Sequence, residues 1–157
     1  MLLLVAGVAL GAGALLVPDR VEALYGDVKT SVQDTVQDVS GEVPTIRLGE
    51  EGDENVLDIC DGSFFEMATY RDDNHILPVF AAHNNCGGDV ILGWEVGTQI
   101  AIDGRPGLYE VVEIRNTGKT WVTTSELVGL QGELALQTCY YGVQEMRFVG
   151  LSPVPGS

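Results

Sequence analysis

Positive charge is what this chain has least of. Eight Lys and Arg stand against 23 Asp and Glu among 157 residues, a formal charge of −15 at pH 7, and lysine occurs only as Lys29 and Lys119. Binding to nucleic acid rests on clustered Lys and Arg facing phosphate, so a nucleic-acid partner is excluded. Histidine is as scarce, with His75 and His83 alone, which narrows any imidazole chemistry to two positions. No Lys or Arg precedes the apolar N-terminal run, so the positive-inside rule has nothing to act on there. Internal repeats and long low-complexity tracts are absent. The length fits one domain, with some chain left for a tail or an anchor.

Carboxylates are spread along the chain, with a dense group at Glu50, Glu51, Asp53, Glu54, Asp58 and Asp61. A solvated acidic surface accounts for them; a divalent-cation site or adaptation to high salt are the sharper readings, and the sequence leaves all three open. The opening "MLLLVAGVALGAGALLV" carries no charge before Asp19. About 16 apolar residues fall short of the ~20 that a full span requires, yet run too continuously for a surface helix. Residues 1–18 are therefore expected to be a membrane anchor or a secretory signal, with a buried core helix as the rival.

From Asp19 to about Ser40, Val21, Leu24, Tyr25, Val28, Val32, Val36 and Val39 recur at three- and four-residue spacing. That spacing predicts a helix over 19–42, a stalk or an element packed on the domain. "GEVPTIRLGEEGDEN" follows with Gly, Pro and an acidic run, so the compact domain is expected over 43–157.

Beyond that boundary the signals are of strands: "VLDIC", "FFEMATY", "ILPVFAAH", "DVILGW", "QIAID", "LYEVVEIRN", "TWVTT", "ELALQT" and "RFVGL". Turn residues punctuate them at Asp61-Gly62, Asp72-Asp73-Asn74, Gly87-Gly88, Asp103-Gly104, Pro106-Gly107 and Thr117-Gly118. Many short strands at roughly even spacing predict an all-β sandwich or barrel.

Cys60, Cys86 and Cys139 make an odd count, which in an exported chain predicts one disulfide and one free thiol. Cys139 is the expected free one, with Cys60 paired to Cys86; the rival is three reduced core cysteines. In "LALQTCYYGVQEMRFVGL" the period of two sets Leu134, Leu136 and Thr138 on one strand face and Ala135, Gln137 and Cys139 on the other. Cys139 thus lies opposite the leucine face, away from where a packing cysteine belongs. Arg147 opens the next strand, so an antiparallel pair would set thiol and guanidinium around one opening. His83 ends "ILPVFAAH" and leads into "NNCGGD", where a strand end displays a side chain, whereas His75 in "RDDNHIL" suits a solvated or capping role. A zinc half-site from His83, Cys86 and Cys60 is a further reading, with no second compact pair to complete it.

The same stretch resembles the catalytic segment of sortases, cysteine transpeptidases in which a Leu-rich strand ends in Thr-Cys and, after a loop, Arg opens the next strand. "YGV" after the cysteine adds to the likeness, and "AAHNNCGGDVILGWEVGTQIAID" looks like the sortase segment that carries Ala-Gly-His and then a Gly-Asp-x-Ile-x-Val-type strand. "LYEVVEIRNTGKTWVTTSEL" is similar to the strand and connection before the last Leu-rich strand. The likeness runs from about Val43 to Leu151, in the order His, Cys, Arg. It departs from the pattern at Ala82 for glycine, at Thr98 for aspartate, and at Tyr140-Tyr141 where proline is usual. Cys86 is not part of the pattern.

The resemblance implies a closed sortase-type β-barrel with short helices or loops, behind an N-terminal apolar helix and a helical stalk. It implies a domain on the outer face of a membrane, or secreted if the apolar segment is cleaved. Cys139 would be the nucleophile that forms a thioester with a Leu-Pro-x-Thr-Gly-like sorting motif, His83 the acid and base, and Arg147 the charge beside the developing oxyanion. Thr138, Tyr140 and Tyr141 would bind substrate. The implied partners are surface proteins bearing the motif, an amine acceptor such as a peptidoglycan cross-bridge or a pilin lysine, and the membrane. No cofactor or metal is implied. A non-catalytic exported barrel that binds partners, and a thiol hydrolase using water, are the alternatives.

Overall fold

The computed structural model describes residues 18–71, 76–119 and 124–157. The apolar anchor or signal over 2–17, the Asp72-Asp73-Asn74 turn, His75 and all but the last residue of the expected strand "TWVTT" lie outside the described residues. Among the described residues, helix α1 (Pro18–Ser40) precedes seven strands: β1 (Thr45–Gly52), β2 (Ser63–Met67), β3 (Val79–Ala81), β4 (Gln99–Ile102), β5 (Leu108–Gly118), β6 (Leu134–Cys139) and β7 (Glu145–Pro153). The sheet is ordered β1-β2-β3-β6-β7-β5-β4 and closes through parallel pairing of β1 with β4 at Thr45↔Ala101 and Ile46↔Ile102. Among the described residues, no helix is long and apolar enough to cross a membrane.

Strand alternation builds two apolar layers from one sheet. Every strand sends residues into the first, among them Ile46, Phe64, Phe80, Ile100, Val111, Leu136 and Val149, so this cluster fills the barrel. The second draws on β2, β3, β6 and β7 with Leu57, Tyr70, Leu127 and Leu130, and covers one outer flank. Leu134 and Leu136 point inward while Ala135 and Cys139 belong to the outer layer, as the period of two requires. The end of β6 therefore presents Cys139 outside the barrel.

Two expected strands are short 3₁₀ helices. "VLDIC" lies in one that runs Glu54–Ile59, because the Asp53 carboxylate accepts a hydrogen bond from Asn55 N at 3.0 Å and starts a turn that Cys60, at φ 52°, ends. "DVILGW" lies largely in another, Gly88–Leu92. Gly87 sits at φ 97°, and a Cβ on Gly88 would come 2.5 Å from Ala82 O and Thr138 Oγ1, so the chain turns there instead of extending. Conversely, "TIRLGEEG", inside the expected domain but not among its expected strands, is strand β1. Its charges Arg47, Glu50 and Glu51 leave Ile46 to enter the core.

Helix α1 packs on the barrel by a face that shares Tyr25 with the expected stripe. Leu24, Tyr25, Val28 and Val32 are each about 60 % exposed. The packed face is Ala23, Gly26 and Lys29. Gly26 lies so close to Tyr141 that a Cβ would fall 2.5 Å from its Cδ2, and Lys29 Nζ sits 2.5 Å from Oδ2 of buried Asp89. Tyr25 adds an edge-to-face contact with Tyr141, ring centroids 5.7 Å apart. Lys29→Gln is expected to undock α1. It strips the charge partner from a carboxylate that is 1 % exposed, and because Lys29 is itself 30 % exposed the loss is about 2 kcal/mol, below that of a fully buried pair. Limited proteolysis within α1 is the check; an unchanged cleavage rate would show that the ion pair does not hold the helix.

Candidate active site

Cys60 and Cys86 are joined in a disulfide, Cα atoms 4.8 Å apart, and Cys139 is the free cysteine. With their sulfurs bonded to each other, neither Cys60 nor Cys86 has a thiolate to offer zinc, which removes the half-site reading. Among the described residues, no group of three or more His, Cys, Asp or Glu is placed to hold a metal ion. The bridge ties the 3₁₀ turn before β2 to the turn after His83. Closing a loop with a sequence separation of 26 contributes about 3 kcal/mol in the chain-entropy account. Urea unfolding with and without reductant is expected to differ by that amount, and thiol counting on unfolded, unreduced protein should find one thiol.

Register brings His83 to Cys139. Strand β3 runs parallel to β6 with Ala81 paired to Gln137, and the ladder continues through Ala82 N to Gln137 O at 3.1 Å. Two residues past that pair, on the same face, come His83 and Cys139. The His83 carbonyl accepts from Cys86 N and Gly88 N, both at 3.0 Å, so its backbone is fixed while the side chain stays exposed. Thr138 points the other way, fully buried, its Oγ1 donating to Ala82 O at 2.9 Å. Thr138 thus locks the two strand ends together from inside.

Among the described residues, a cavity of about 150 Å³ is lined by His83, Cys139, Gln137, Tyr140 and Lys119, with Asp19 and Glu22 of α1 forming one wall. Burial pushes the Cys139 thiol up from its ordinary value, and the Lys119 charge acts in the opposite direction. Tyr70, behind the thiol, is pushed up to about 12, by burial first and then by the Cys139 charge; its hydroxyl has no partner among the described residues.

Arg147 does not line this cavity. It pairs with Thr138 across β6 and β7, whereas Cys139 pairs with Met146, so guanidinium and thiol leave opposite faces of the sheet. Arg147 Nη2 donates to Trp94 O, and Nη1 donates to the Tyr140 hydroxyl at 3.1 Å, which in turn lies 3.1 Å from Asn116 Oδ1. In this register the cavity that holds Cys139 is lined without Arg147. Tyr141 is buried under α1, its hydroxyl within hydrogen-bond distance of Asn84 O and Asp89 Oδ2, and the same contact pushes its own titration up behind the effect of burial. Of the expected substrate contacts, Tyr140 alone lines the cavity. Sequence reading did not single out Lys119, Gln137, Asp19 or Glu22. Carrying the β5 alternation one step past Thr117 would have found Lys119; nothing in the sequence marks which turn of α1 meets the barrel.

No protein-family model, no curated protein and no solved structure matches the chain.

Proposed function

We propose that this chain is a sortase-like cysteine transpeptidase, acting on exported proteins that carry a Leu-Pro-x-Thr-Gly-like motif and passing the acyl group to an amine. The observation that carries the reading is the meeting of the free thiol and His83 on one outer face, at neighbouring strand ends, in one cavity. A closed barrel of seven strands and a disulfide suited to an oxidising compartment accord with it. The motif resemblance supplies the reaction type and the finer description of the barrel as sortase-type.

In this reading His83 takes the thiol proton as the Cys139 sulfur attacks the carbonyl carbon. The C–N bond breaks, its electron pair leaves with the amine nitrogen, and His83 returns the proton to that nitrogen. The thioester is then attacked by an incoming amine, which gives a proton to His83 while the C–S bond breaks and the sulfur regains it. Acceptors of this kind are a peptidoglycan cross-bridge or a pilin lysine, and the domain works on the outer face of a membrane.

Mass spectrometry of the full chain mixed with a library of such peptides, with and without a free amine, tests the reading. An acyl adduct on Cys139 that the amine discharges is the expected result. Hydrolysis unaffected by amine would favour a thiol hydrolase, and neither adduct nor cleavage would favour a non-catalytic binding barrel.

A further inference from the structure

We infer that Lys119, and not Arg147, supplies the positive charge facing the Cys139 sulfur and the negative oxygen that forms on an attacked carbonyl. The inference rests on the acyl-transfer reading for the oxygen, though not for the sulfur. Thr117, Met146 and Cys139 form one row across β5, β7 and β6, because Thr117 pairs with Met146 and Met146 with Cys139. Lys119 follows two residues after Thr117 and so leaves the same face; its backbone N–H donates to Gln144 O at 3.0 Å, carrying the β5–β7 ladder past the Gly118↔Glu145 pair. Lys119 and Cys139 line the same cavity. Among the described residues lining the cavity, Lys119 is the one Lys or Arg.

The chemistry requires such a charge. A half-buried thiol resists ionisation, and its conjugate thiolate is stabilised by a cation that shares its cavity. The titratable and charged groups that line the sulfur's cavity are Lys119 from the end of β5, His83 after β3, Tyr140 after β6, whose hydroxyl turns away to Arg147, and Asp19 and Glu22 from α1, with Tyr70 behind the sulfur. The two carboxylates oppose the thiolate, so removing the lysine leaves a cavity whose fixed charges are all negative. Arg147 is held by Trp94 O and Tyr140 on the other face, where it braces the turn that follows Cys139.

The test is the pH profile of Cys139 alkylation by neutral iodoacetamide in the full chain under non-reducing conditions, where the other two cysteines are bridged. Lys119→Met is expected to slow alkylation about tenfold at pH 8 and to move the profile to higher pH, the size set by one unit charge several ångströms away at a partly exposed site. Lys119→Arg should keep the original profile, and so should Arg147→Gln. Lys119 is exposed, so its variants retain the fold, and their unfolding midpoints verify this. A Lys119→Met profile that matches the unchanged protein overturns the inference, as does an Arg147→Gln profile that shows the tenfold loss. The alkylation readout uses no peptide. If Lys119→Met slows alkylation while no peptide is ever cleaved, the charge assignment stands and the transpeptidase reading falls.

Discussion

Cys139→Ala is expected to remove peptide cleavage and the acyl adduct together, a loss on the order of 10⁵-fold or more, since without the nucleophile only binding remains. His83→Ala should lower turnover by about 10³-fold, the contribution of one well-placed proton-transfer group. Both changes leave the scaffold whole, for reasons visible in the structure. It is the His83 carbonyl, not the imidazole, that accepts from Cys86 N and Gly88 N, and the imidazole is exposed. Alanine at 139 keeps an apolar group opposite Met146 in the outer layer. Unfolding midpoints close to that of the unchanged protein, measured beside turnover, separate lost chemistry from lost structure. A His83→Ala variant that cleaves at the original rate would show that the imidazole moves no proton in the reaction.

Much of this architecture was legible where alternation was clean. "ELALQT" and "RFVGL" mark β6 and β7, and the period of two set Cys139 on the non-leucine face, which is its place in the structure. The pairing of the cysteines followed from an odd count in a chain read as exported. Local chemistry misled elsewhere. "VLDIC" and "DVILGW" have β-branched runs, but an Asp cap at Asp53 and the close approach around Gly88 bend both into 3₁₀ turns. Strand β1 hid behind its own charges, because pairing with β2 on one side and β4 on the other holds it extended whatever its composition. Arg147 shows the limit most clearly. One residue of register decides which face it leaves, and in a hairpin the register is set by the turn, here the one between β6 and β7.

Phe148→Ala should destabilise the protein by about 4 kcal/mol, the usual cost when a fully buried aromatic leaves a cavity. Phe148 is 0 % exposed and lies in the outer layer, opposite Gln137 on β6 and Arg115 on β5. Its ring meets Tyr70 edge-to-face with centroids 5.9 Å apart, and Tyr70 is the side chain whose titration feels Cys139 from behind. Removing the ring therefore takes out both a core contact and the support of the wall behind the thiol. A domain of this size has only about 5–15 kcal/mol in all, so the loss is a large share of the total. Phe148→Leu keeps most of the volume and should cost within about 1.5 kcal/mol. Urea unfolding of the three proteins tests the ordering. If Phe148→Ala unfolds within about 1 kcal/mol of the unchanged chain, the outer layer is a surface cover and not a second core.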